Sequence, residues 1–198
     1  MSDVFVDITM AVDGHVAGPD VGRDHPLGVG GERLHEWLFG SDGRPPSAED
    51  TAVAAELFDG TGAFVMGRRT FDVGIDLWGP DGAFGVPTFV VTHAPHPDVV
   101  RGPTTFRFIT TGLTDAIAAA RSAAADRNVA VMGGADIATQ AIGSGLVDEL
   151  RLHLVPVVLG SGARLFAPDG PRIELVHTRT IESSRAVHLR YRVLGNAD

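Results

Sequence analysis

Twice in this chain an apolar strand runs into glycine and then directly into a helix start. Phe64-Val65-Met66-Gly67-Arg68-Arg69-Thr70-Phe71 is one such junction, and Val131-Met132-Gly133-Gly134-Ala135-Asp136 is the other. A strand followed by a helix returns to its sheet by a crossover, which makes the next strand parallel. The rest of the chain repeats the alternation. Val4 to Val12 reads as a first strand, with Phe5, Asp7 and Thr9 on one face and Val6, Ile8 and Met10 on the other. Ser47 to Asp59 reads as a helix, Ser47 being its N-cap ahead of Glu49 and Asp50. Further strands are expected at Ala63 to Met66, Pro87 to Thr92, Phe106 to Thr110, Asn128 to Met132 and Glu149 to Leu159. Helices are expected from about Arg69, over Thr114 to Ala125 and over Ala135 to Ile142, with a short one at Glu32 to Phe39. Glu174 to Val193 reads as a two-stranded hairpin that adds an antiparallel edge.

Asp13 to Gly31 is rich in Gly, Pro and Asp. So long a loop in a compact domain is usually functional or mobile. No repeat, low-complexity linker or break in composition marks a second domain within residues 1–198.

The formal net charge of -9 leaves no basic stripe to replace phosphate counterions, which argues against general nucleic-acid binding. A few local arginines can still hold a small phosphorylated ligand. The absence of cysteine excludes disulfides, thiolate chemistry and Cys-based metal sites, including the HxE…PCxxC zinc signature of a deaminase. No His/Asp/Glu spacing suggests a metal site. MSDVFVDITMAV lacks the basic and apolar regions of a signal peptide, and no apolar run approaches the roughly 20 residues of a membrane span. A cytoplasmic protein is expected.

Both glycine junctions present chemistry suited to phosphate. Gly67 permits close backbone approach, and Arg68 and Arg69 supply planar donors beside Thr70. Gly133-Gly134 ahead of a helix start can hold a diphosphate against free backbone amides. Each junction alone also fits a plain strand–helix turn with solvated side chains. Their joint occurrence, with Val91-Thr92-His93 at a third strand end, points to the carboxyl edge of a parallel sheet, where such sheets bind ligands.

AVDGHVAG, VMGRRTF, VVTHAP, VMGGADI and LVDELRLHLVPVVLGSGARLF follow one another in the chain. In that order they resemble dihydrofolate reductase and the reductase domain of riboflavin biosynthesis, over nearly the whole sequence. The last stretch is most similar to the riboflavin-type reductases and to dihydrofolate-reductase-like proteins of bacteria. The resemblance implies a three-layer α/β/α fold with a mixed, mostly parallel central sheet, and an NADPH-dependent reductase. It also implies roles for particular residues. Gly67, Arg68, Arg69 and Thr70 match the segment on the 2′-phosphate and diphosphate of NADPH, and Thr92 and His93 match the loop beside the 2′-phosphate. Gly133, Gly134, Ala135, Asp136 and Ile137 match the turn under the diphosphate. Val16, Ala17 and Gly18 match the loop that closes over nicotinamide, and Thr9 matches a position near its carboxamide.

The chain departs from dihydrofolate reductase where that enzyme carries its acid, in a Trp-x-x-Pro context that is missing here. Glu32 and Glu36, in GGERLHEW, lie nearby. Asp7 shares the face of Thr9, and His153 points opposite to Leu152 and Leu154. Both align with the substrate side of the pocket. A carboxylate in so apolar a strand needs a partner, and an Asp7–His153 pair meets that need. Asp7, His153 and Glu32 are therefore the candidate catalytic residues, although Asp7 and His153 also fit purely structural roles. His15, His25, His35 and His188 carry less functional signal. Trp78 fits a core or edge position better than the pocket mouth. The acceptor is expected to be a small heterocycle of the ribosylamino-pyrimidine type. Dihydrofolate reduction, or non-catalytic binding of NADPH or a flavin-like ligand, are the alternatives. The strand Leu150 to Leu159 and the hairpin offer a sheet edge to a second copy, so a homodimer is expected.

Overall fold

The computed structural model describes residues 2–166 and 170–196; Met1, 167–169 and 197–198 of the expected 1–198 domain lie outside it. In chain order the elements are β1 (Val4–Ala11), β2 (His15–Ala17), a 3-10 turn (Gly31–His35), α1 (Glu36–Phe39), α2 (Ala48–Gly60), β3 (Thr61–Gly67) and α3 (Arg68–Gly74). Then come β4 (Thr88–Val91), β5 (Val99–Arg101), β6 (Thr104–Ile109), α4 (Leu113–Ala124), β7 (Asn128–Met132) and α5 (Ala135–Gly143). The chain continues through β8 (Glu149–Val155), β9 (Ala163–Arg164), β10 (Ile173–Glu182) and β11 (Val187–Asn196).

Nine strands form one sheet in the order β10-β11-β8-β1-β7-β3-β4-β6-β5, and β2 pairs with β9 in a small second sheet. β8, β1, β7, β3, β4 and β6 run parallel; β11 is antiparallel to them with β10 outside it, and β5 is antiparallel at the other side. This is the expected α/β sandwich with its antiparallel hairpin.

Strand alternation sorts the core between the two faces. Val4, Val6 and Ile8 join Val129 and Val131 under α4 and α5, which contribute Ala116, Ile117, Ala120, Ile137 and Ala141. The alanines of α4 recur at helical spacing on its buried face, so the helix lies close on the sheet. The opposite face receives Phe5, Phe64, Met66 and Phe106 together with Leu57 of α2 and Phe71 of α3. Farther along that face, Ala11 and Val155 pack with Leu34, Trp37 and Val53. Ser47 caps α2 as expected, and Asp50 completes a capping box by accepting from the Ser47 backbone amide.

Several boundaries differ from the expected ones. β8 ends at Val155 because Pro156 cannot donate to a continuing ladder, so the strand stops short of Leu159. β6 begins two residues before Phe106, where Thr104 pairs with Arg101 of the unexpected strand β5. Trp78 stacks on Phe106 at 5.6 Å between ring centroids, a core contact.

Candidate active site

β1, β7, β3 and β4 are parallel neighbours, so the chain segments that leave their carboxyl ends lie side by side. Gly133 and Gly134 adopt φ of +74° and +80°, values that L side chains rarely take. A Cβ on Gly133 would lie 2.4 Å from Thr70 Cγ2, which places the two glycine junctions in direct contact. α5 starts with no side-chain cap. Its first-turn amides are therefore open to an external acceptor. This donor set suits the diphosphate of a nucleotide.

The two arginines differ in setting. Arg68 Nε donates to Asp72 Oδ1 at 2.8 Å, and its guanidinium sits 5.6 Å from the Phe108 ring centroid. Arg69 is exposed, and its Nη2 donates to the Val21 carbonyl at 2.8 Å, tying α3 to the loop after β2. Thr92 accepts from the Ala94 amide at 3.2 Å at the end of β4, and His93 beside it is exposed.

The loop from Asp13 to Gly31 is folded on itself. Gly18 donates to Leu27 at 2.9 Å and Val29 to Pro19 at 2.8 Å, through their backbones. A Cβ on Gly18 would fall 2.1 Å from the Val29 carbonyl oxygen, so only glycine fits there. Val16 and Ala17 belong to β2, and β9 holds that strand from the far end of the sequence. Asp13 accepts from the Gly160 amide at 2.7 Å; that bond, opposed by burial and aided by His15, holds its carboxyl below the usual range.

Across β1, β8 and β11 runs a buried polar chain. Register puts Thr9, His153 and His188 in one row and Asp7, Arg151 and Arg190 in the next. Asp7 Oδ1 lies 3.0 Å from His153 Nε2, His153 Nδ1 lies 2.8 Å from His188 Nδ1, and His188 Nε2 lies 2.9 Å from Asp50 Oδ1. Asp7 is 9% exposed, His153 3%, His188 4% and Asp50 0%. Trp37 covers the chain, its ring centroid 4.3 Å from that of His153, and its Nε1–H donates to Thr9 Oγ1 at 3.1 Å. Burial opposes ionisation of Asp50, but hydrogen bonds from Ser183, His188 and Ser47 outweigh it and hold the carboxyl below its ordinary value. Burial pushes the His188 imidazole down, and Asp50 offsets this only in part. The space beside Asp7, His153, His188 and Val53 is a cavity of about 10 Å³, room for about one water.

The structure thus brings together the paired candidates Asp7 and His153. Asp7 is level with Met132, the residue before the glycine pair. Thr9, expected near a carboxamide, has its hydroxyl engaged by Trp37. Glu32 is exposed on the 3-10 turn, whereas the polar chain is buried, and Glu36 pairs with Arg33 at 3.1 Å. Sequence reasoning missed Trp37 and Asp50 and set His188 aside. The parity of Ala186, His188 and Arg190 was the signal for His188, but it needed the hairpin register to be useful. Among the described residues no group of three or more His, Cys, Asp or Glu could hold a metal ion, and no helix is long and apolar enough to cross a membrane.

Comparison with known proteins follows the same lines. The chain is similar over 59 residues to the uncharacterised protein YyaP of Bacillus subtilis (strain 168), with 48% identity. That match spans 29% of this chain and 31% of YyaP. A protein of Shewanella sp. PV-4 assigned to riboflavin biosynthesis superposes with a TM-score of 0.71 at 20% identity, over 96% of this chain and 98% of that one. The riboflavin biosynthesis reductase Rib7 of Saccharomyces cerevisiae superposes with 0.58 at 15% identity, over 100% and 89%. A Thermotoga maritima diaminohydroxyphosphoribosylaminopyrimidine deaminase/5-amino-6-(5-phosphoribosylamino)uracil reductase gives 0.61 at 13% identity, over 97% of this chain and 56% of that one. At these identities the likeness is one of fold. Residues 2–187 match the RibD C-terminal domain, and the chain belongs to that family.

Proposed function

We propose that this protein is an NADPH-dependent reductase of a small heterocycle of the ribosylamino-pyrimidine type. The observation that carries the reading is the placement of Asp7, hydrogen-bonded to His153, level with Met132 on the strand that ends in the glycine pair. Nucleotide-binding chemistry and a buried acid pair thus share one sheet edge. The names of the solved relatives support the acceptor class.

When bound, NADPH supplies a hydride. Gly133, Gly134 and the first-turn amides of α5, Ala135, Asp136 and Ile137, would hold its diphosphate, with Gly67 and Thr70 beside them. Arg68, Arg69, Thr92 and His93 would hold the 2′-phosphate. Val16, Ala17 and Gly18 would close the nicotinamide side and exclude water, and Thr9 would lie toward the carboxamide. The Asp7–His153 pair would then give a proton to the acceptor nitrogen or oxygen, so that a C=N or C=O gains one hydride and one proton. Both side chains are buried, and the Trp37 ring lies against His153.

The test is NADPH oxidation with pyrimidine and pterin acceptors, in the intact protein and in Asp7→Asn. The variant keeps the shape but loses the acid. A fall in kcat of about 10²-fold or more with unchanged NADPH affinity is expected. Tight NADPH binding with no turnover of any acceptor would support a binding protein instead, and turnover confined to dihydrofolate would reassign the substrate.

A further inference from the structure

The chain Asp7–His153–His188–Asp50 is unusual in its proton count. Each of its three links needs one hydrogen. Two ionised carboxylates supply none, and two neutral imidazoles supply one each. A fully hydrogen-bonded chain therefore holds three protons and a net charge of −1, one proton more than its ordinary neutral-pH forms would carry.

The surroundings say where the extra proton sits. Asp50 accepts from the Ser47 backbone amide at 3.3 Å and from His188. It is thus held as a carboxylate, so His188 Nε2 must carry a hydrogen toward it. His188 resists a second proton through burial, so its Nδ1 is bare and accepts from His153 Nδ1–H. The remaining proton lies on the link between His153 Nε2 and Asp7. The other charged groups around the chain are accounted for. Arg151 pairs with Glu149 at 2.5 Å, and Arg179 and Arg190 both pair with Glu56. His35, on the 3-10 turn, is itself held neutral by burial.

We propose that His188 and Asp50 are positioning residues that keep one transferable proton on the Asp7–His153 link at neutral pH. The assignment rests on the reductase reading above for its use, but not for its geometry. On transfer, the proton moves from this link to the acceptor heteroatom, and the chain falls to two protons and a charge of −2. His153 Nε2 then faces a carboxylate with no hydrogen between them, an arrangement that draws a proton back from solvent.

The experiment uses the full, ligand-free chain labelled with ¹⁵N-histidine, and reads imidazole tautomers by two-bond ¹H–¹⁵N correlation from about pH 6 to 9. In the intact protein His188 should show a bare Nδ1 and His153 a protonated Nδ1. In Asp50→Asn the Asp7–His153 link should lose its proton at least about one pH unit lower, a tenfold loss of proton affinity. If that variant does not fold, His188→Gln should shift the link in the same direction. The basic limb of the kcat profile should move with it, while the KM for NADPH stays constant. Two imidazoles that titrate independently near their ordinary value would overturn the proposal, and so would a folded Asp50→Asn with unchanged His153 signals. An inactive protein with the expected tautomers would overturn the reductase reading and leave the chain standing. Activity with independently titrating rings would do the reverse.

Discussion

Replacing Gly133 with Ala tests whether the contact between the two glycine junctions matters, and its cost can be worked from the structure. Gly133 has φ of +74°, and an L-residue held in the left-handed region costs about 1–2 kcal/mol. The new Cβ would also lie 2.4 Å from Thr70 Cγ2 and 3.0 Å from Thr70 Oγ1. Relieving an overpacked contact of this kind costs about 1–3 kcal/mol. The sum is about 2–5 kcal/mol, which lowers Tm by roughly 4–20 °C in a domain of this size. Thr70→Ser removes Cγ2 and keeps the hydroxyl, so it separates the two contributions. In that background the clash largely disappears while the φ strain remains, and the coupling between the substitutions should be about 1–3 kcal/mol. Urea unfolding followed by far-ultraviolet circular dichroism, on all four proteins, measures it. NADPH titration of the same proteins should show at least about a tenfold loss of affinity in Gly133→Ala, as the α5 start moves away from α3. A Gly133→Ala protein as stable as the parent would refute the strain argument. A penalty of the same size in the Thr70→Ser background would refute the contact. Lost stability with unchanged NADPH affinity would remove this turn from the cofactor site.

Three further outcomes are expected. Arg69→Ala and Arg68→Ala, measured separately, should each weaken NADPH at least about tenfold more than NADH; equal loss for both nucleotides would remove the 2′-phosphate contact. Burial, with His153 nearby, pushes His35 from 6.5 down to about 4, so the folded state prefers the neutral ring. That preference stabilises the fold fully above the unfolded value and is lost as pH falls toward about 4, by on the order of 3 kcal/mol in all. His35→Gln should flatten the thermal-stability profile across that window, and an unchanged slope would count against it. β10 is an outermost strand with Leu175 and Val176 partly exposed, so we expect sedimentation at micromolar concentration to show a homodimer; a monomer would refute this.

Side-chain parity along one strand is a local property, and it was readable from the sequence. The alternation of β1 put Asp7 with Thr9 and Phe5, and the alignment with the resembled family set His153 on the same pocket, where it met the need of a buried carboxylate for a partner. The glycine junctions were readable for the same reason, since each lies within a few residues of chain. What lies beside what across the sheet was not readable. His188 meets His153 only because β11 returns beside β8 in one particular register, across 35 residues. A shift of one residue would have turned His188 to the other face. β2 and β9 pair from opposite ends of the chain and are too short to show a pattern. Arg68 folds back on Asp72, a neighbour at helical spacing that the sequence permits without requiring. Asp50 marks a different limit. As the third residue of α2 it satisfies a local rule, the capping box with Ser47, and that role accounts for an acid at this position. Its second oxygen accepts from His188. A residue whose local role already explains it leaves no unexplained signal for a long-range one, so a carboxylate that serves both is legible only once the strands are in register.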